Sequence, residues 1–109
     1  MTERADFLQG TLDLLVLRSL ASAPLHGWGI SKRIRQLSRD VLQVNQGSLY
    51  PALYRLEERG WVRSEWAVSE GGRRVREYAL TRAGRKQVAV EEADWRRFAN
   101  AIEEVLEGT

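Results

Sequence analysis

The hydrophobic period of this chain changes sharply at Gly60, and few folds accommodate what lies on either side. Before it, Leu49, Ala52, Leu53 and Leu56 recur at i, i+3, i+4 and i+7, the stripe of an amphipathic helix. After it come two strand-type runs, Trp61 to Val68 and Arg74 to Leu80, joined by Ser69-Glu70-Gly71-Gly72. Paired glycines between such runs predict a β-hairpin. Upstream, Leu12, Leu15, Val16 and Leu20 place a first helix over Leu12 to Ala21, with Leu14 and Leu17 off its stripe. That helix is apolar nearly all round and needs cover on two sides, which hints at a second subunit. Past Pro24, a second helix carries Ile30, Ile34 and Leu37, and Val41 to Val44 reads as a short strand. The final segment keeps helical spacing from Lys86 to Leu106, with Val88, Trp95 and Ile102 seven apart and Phe98 and Val105 each three residues after Trp95 and Ile102.

Three helices, a hairpin and a long helix make a mainly α fold with a small β-hairpin. The expectation is a winged helix-turn-helix over 1–81, followed by a C-terminal dimerisation helix over 82–109. Pro51 constrains the start of the third helix, because a proline is harmless only in the first turn. Ser48 as N-cap satisfies that; Asn45 is an earlier start at the cost of a kink.

A length of 109 residues leaves room for one domain and one further element. With 43% hydrophobic and 29% charged residues the chain can bury a core. It has no cysteine and one histidine, His26, so neither thiolate chemistry nor a Cys/His metal cluster is open to it. His26, just before a helix, is expected to cap or hydrogen-bond. No nucleotide-type Gly-rich loop, nucleophile elbow or convergent carboxylate pair stands out, so neither an enzyme nor a cofactor is expected. No apolar run is long enough for a bilayer, and Met1-Thr2-Glu3-Arg4 has no leader pattern, so a soluble cytoplasmic protein without membrane contact is the default.

The net charge of +2 is unevenly placed. From His26 to Arg76 ten basic residues face five acids, whereas from Lys86 onward three face six. A basic middle and an acidic end imply that only the middle meets an anion. If the stripe of the third helix is buried, Gln46, Ser48, Tyr50, Tyr54 and Arg55 remain for double-stranded DNA, the polar N-terminal end suiting base edges or phosphates. Arg73, Arg74 and Arg76 flank the hairpin tip and suit phosphate or minor-groove contact. Lys32 and Arg33 on the second helix add candidate phosphate contacts, with solvated surface as the alternative. The homodimer seam is assigned to Leu14, Leu17, Val88, Trp95, Phe98, Ile102 and Val105. A tryptophan midway along such a seam lies near its symmetry mate. Trp95 is therefore the candidate site for a planar aromatic small-molecule effector, with ordinary core filling as the alternative.

These residues also resemble the PadR family of bacterial transcriptional regulators. Asn45-Gln46-Gly47-Ser48-Leu49-Tyr50-Pro51-Ala52-Leu53 is similar to that family's recognition-helix signature, and continues into Arg55-Leu56-Glu57, Gly60-Trp61-Val62 and Glu65-Trp66. The wing run Gly71-Gly72-Arg73-Arg74, the exit Tyr78-Ala79-Leu80-Thr81 and the entry Leu25-His26-Gly27-Trp28-Gly29-Ile30 match as well, so the likeness covers about Phe7 to Leu106. The resemblance implies a dimer with the last helix on the partner's first helix, and repression from a palindromic promoter site. It also implies release by a small molecule in some members, planar drugs at the dimer interface among them, and a place in the branch with a single terminal helix. Trp28 stands where the family usually has tyrosine, and Val75 interrupts a wing that is often more basic. A winged helix that binds protein instead of DNA is the alternative reading.

Overall fold

The computed structural model describes residues 2–108, with side chains from residue 10 onward; Met1, which opens the stretch read for a leader, lies outside the described residues. Helix α1 (Thr2–Leu20) begins well before its predicted start and leads to a two-residue strand β1 (Leu25–His26), then α2 (Gly27–Leu37) and α3 (Gln46–Glu58). Strands β2 (Val62–Val68) and β3 (Arg74–Leu80) form the hairpin, and α4 (Arg82–Glu107) closes the chain. The sheet is antiparallel in the order β1-β3-β2, with Trp66 opposite Arg76 and Val62 opposite Leu80.

The core lies where α1, α2, α3 and the root of the hairpin meet. Val16, Leu17 and Leu20 from α1 pack with Ile30 and Ile34 from α2, and with Leu49, Leu53 and Leu56 from α3. Val62, Tyr78, Leu80 and Val88 close it from below. Each fully buried aliphatic side chain stabilises the fold by about 1.5–3 kcal/mol relative to exposure. The stripe of α3 is therefore spent inward, which leaves its other faces for outside contacts.

One expectation fails, and one pair of alternatives is decided. No strand forms at Val41 to Val44. Arg39 and Asp40 take left-handed conformations (φ 52° and 69°), and Asp40 N–H bonds the Arg35 carbonyl at 2.8 Å, so the chain winds back against the end of α2. The free edge of β3 goes to β1 instead, through Leu25 opposite Tyr78. Of the two candidate caps of α3, Ser48 is not the one used. Asn45 is, in extended conformation, its side-chain oxygen accepting the Ser48 N–H at 2.8 Å. Pro51 then lies inside the helix, which forgoes one ladder bond to the Gly47 carbonyl.

Helix α4 is tied to the foot of the hairpin. Thr81 caps it by accepting the Gly84 N–H, and gives its own hydroxyl proton to the Gly60 carbonyl. Gly84 lies so close to the Trp61 carbonyl that a Cβ there would collide with backbone. From this joint α4 runs along α1, with Arg18 paired to Glu92 at 3.8 Å, and the molecule measures 57 × 29 × 27 Å.

Candidate nucleic-acid interface

At its start α3 is coupled to α2 by a hydrogen bond from Gln46 Nε2 to Ser31 Oγ at 3.0 Å. Gln46 and Ser48 are exposed at this end, where first-turn N–H groups favour an anion. Tyr50 and Tyr54 are exposed one turn apart. The Tyr50 hydroxyl rests on Gly27, where a side chain on α2 would displace it. Beside this end, Trp28, Ser31, Lys32, Arg35 and Gln46 border a cleft of 590 Å³. Lys32 Nζ lies over the Trp28 ring at 5.0 Å, while Arg33 is half-buried and its Nε has no hydrogen-bond partner among the described residues. His26 caps α2, its Nδ1 accepting the Gly29 N–H at 3.1 Å.

Arg55 stands apart from the other assigned DNA contacts. Its guanidinium donates to Asp13 of α1 at 2.8 Å, inside the domain, with the two side chains 27% and 7% exposed. Burial raises the Asp13 carboxyl above its ordinary value, while the hydrogen bond and charge of Arg55, then the charge of Arg59, pull against it. A guanidinium held this way orients α3 on α1. Nothing in its sequence position marked this, because Asp13 lies 42 residues away.

The wing presents its cations together. Strand alternation puts Val62, Ser64, Trp66 and Val68 on one face with their partners Leu80, Tyr78, Arg76 and Arg74. Near the root this face packs on the core, and towards the tip it runs clear of it. There the Arg74 and Arg76 guanidinium carbons lie over the Trp66 ring at 4.7 and 5.2 Å, and Arg76 Nε donates to Ser64 Oγ. Ser64 in turn donates to Glu57 of α3 at 2.8 Å, so this part of the wing is braced against the helix. Sequence reasoning missed Trp66 and Ser64. The cross-strand pairing of Trp66 with Arg76 was the one signal for Trp66.

Trp95, Phe98, Ile102 and Val105 lie exposed along α4. Leu14 of α1 is half-buried beside Trp95, and two grooves between the helices share both residues. Leu17 and Val88 do not join this face. Both are buried in the chain's own core, so the all-round apolar character of α1 is answered partly within one chain. Among the described residues no helix is long and apolar enough to cross a membrane, and no group of three metal-ligating side chains converges.

The model of the transcriptional regulator PadR-like family matches residues 16–90. A transcriptional regulator of Mycobacterium tuberculosis is 36% identical over 103 residues, covering 94% of this chain and 90% of that protein. A transcriptional regulator from Clostridium thermocellum has a similar structure, with a TM-score of 0.80 at 27% identity over 91% of this chain and 93% of the other. A PadR family transcription regulator from Clostridium difficile gives 0.74 at 27% identity, over 87% and 97%.

Proposed function

This chain belongs to the PadR-like family of transcriptional regulators, and on that premise we propose that it is a homodimeric repressor that occupies a palindromic promoter site. The family implies DNA binding and a regulatory rather than catalytic role. The observation that carries the reading is the division of α3: Leu49, Ala52, Leu53 and Leu56 are buried, while Gln46, Ser48, Tyr50 and Tyr54 are exposed beside an arginine-bearing wing. In this reading Gln46 and Ser48 read base edges, the tyrosine hydroxyls and Lys32 hold phosphates, and Arg73, Arg74 and Arg76 hold the flanking groove. Residues 1–81 bind DNA and 82–109 dimerise, through Trp95, Phe98, Ile102 and Val105 of α4 and Leu14 of α1. A two-fold axis through that seam sets two α3 helices about one turn of DNA apart, roughly 34–36 Å, and so favours an inverted repeat. A planar aromatic molecule between the two Trp95 indoles relieves repression.

Footprinting on the region upstream of its own gene, with a salt titration, tests the core of this. Protection of an inverted repeat and a steep loss of affinity with salt are expected. Salt-insensitive binding, or no protected site, defeats it. For the effector, planar cationic dyes should quench tryptophan emission saturably in the parent and not in Trp95→Ala. Quenching that survives the substitution removes Trp95 from that role.

A further inference from the structure

The wing and the start of α2 enclose a second cleft, of 580 Å³, within the range of about 300–1,000 Å³ typical of small-molecule sites. Trp28, Tyr50 and Trp66 line it together with Arg73, Arg74 and Arg76, and no acid is among the described residues that do. The two indoles are 60% and 55% exposed. One exposed indole is ordinary surface, but two bordering one concavity beside three guanidinium groups have a chemistry in common. Duplex DNA would engage the arginines through its phosphates. It would leave the indoles unused, because paired bases keep their faces stacked inside the helix. A ligand that uses both halves of the cleft carries a flat ring and several negative charges. Three guanidinium groups without an opposing acid match a phosphate chain better than a single carboxylate. Lys32 lies over the Trp28 ring and Arg74 and Arg76 over the Trp66 ring, so a bicyclic base stacks on the indole area that stays exposed beside these cations.

We propose that this cleft binds a free purine nucleotide, its base against Trp28 and Trp66 and its phosphates on Arg73 and Arg74. The cleft is separate from the α1–α4 grooves at Trp95. Because the same arginines serve DNA in the reading above, nucleotide and duplex exclude one another; that consequence, unlike the site itself, rests on that reading.

The four tryptophans make the test local. Each indole N–H of the labelled full-length chain gives its own NMR peak, and the titration needs no DNA. ATP without metal should move the Trp28 and Trp66 peaks saturably and leave Trp61 and Trp95 in place. Adenosine, which lacks the charge-assisted contacts, and tripolyphosphate, which lacks the ring, should each bind at least about tenfold more weakly, for tripolyphosphate the factor that one base–indole stack supplies. Arg73→Gln with Arg74→Gln should abolish the ATP response, with unmoved Trp61 and Trp95 peaks showing that the fold is intact. Arg63→Gln, which removes an arginine of β2 that does not line the cleft, should leave the response unchanged. The proposal is overturned by no response to millimolar ATP, by movement of Trp95 alone, or by tripolyphosphate matching ATP. Any of these would leave the duplex reading standing, and a failure of duplex binding would leave this site standing.

Discussion

Replacing Arg55 by methionine keeps the aliphatic stem and removes the charge that faces Asp13. The carboxylate is then buried without its main counter-charge. Breaking a buried ion pair from one side costs about 3–5 kcal/mol, and the partial exposure of this guanidinium places the expected loss near the lower end, about 3 kcal/mol at about pH 7.5. The loss should depend on pH with a definite sign. Burial already raises the Asp13 carboxyl above its ordinary value while Arg55 opposes the rise, so without Arg55 the value goes higher. A carboxyl raised on folding takes up its proton more readily in the folded state. Its proton-linked stability is fully present below the unfolded value and is lost as pH rises through the folded one. The deficit should therefore shrink between about pH 7.5 and pH 5. Urea unfolding followed by tryptophan emission, at one fixed protein concentration, measures it; the concentration matters wherever unfolding is linked to dimerisation. Adding Asp13→Asn to Arg55→Met should recover most of the loss, because the buried charge is gone. A loss below about 1 kcal/mol, an equal loss at both pH values, or no recovery in the double variant would refute the assignment of Arg55 to a buried clamp.

Arg73→Ala with Arg74→Ala should weaken binding to every duplex and flatten the dependence of log K on log salt by about two, near 0.9 per lost phosphate contact; an unchanged slope in a filter-binding titration would place the wing off the DNA. Gln46→Ala should change which bases are preferred, by about 1–3 kcal/mol at one position of each half-site, and a binding selection with parent and variant would show it. Phe98→Glu with Ile102→Glu should yield monomers in sedimentation experiments while circular dichroism shows the domain still folded, and a variant that stays dimeric would move the seam elsewhere. Gly84→Ala should destabilise the chain by about 1–3 kcal/mol in thermal unfolding, since its new methyl group meets the Trp61 backbone, which cannot swing aside as a side chain would.

What could be read from the sequence was whatever depends on neighbours close along the chain. The α3 stripe, the hairpin with its glycine turn and the capping role of His26 are local, and each stands in the structure. Where two local signals competed, the sequence left the choice open. Ser48 suited Pro51, yet Asn45 accepts the N–H of Ser48 and extends the helix by a turn despite the proline. Apolar residues at 41–44 read as a strand, but strands need a partner, and β1 holds the edge that was open. Features that depend on distant pairs were hidden. Asp13 and Arg55 meet only because α1 packs on α3. Leu17 and Val88 look like seam residues by spacing alone, and only the packing of α1 and the root of α4 shows that they face inward.

The joint at Gly84 has a mechanical consequence. Thr81 and Gly84 lock the root of α4 to the strand that starts the wing, leaving no loose residue between them. At 1.5 Å per residue a helix of this length spans about 39 Å. In a dimer joined through α4 the helix therefore acts as the arm of a calliper whose jaws are the two wings. A change of about 10° in the crossing angle shifts the two jaws by roughly 7 Å relative to one another across such an arm, about two base-pair steps along a duplex. A molecule wedged between the arms need not touch the DNA-reading surface to spoil its spacing, and the gauge is only as accurate as the glycine that lets the arm sit flush against its jaw.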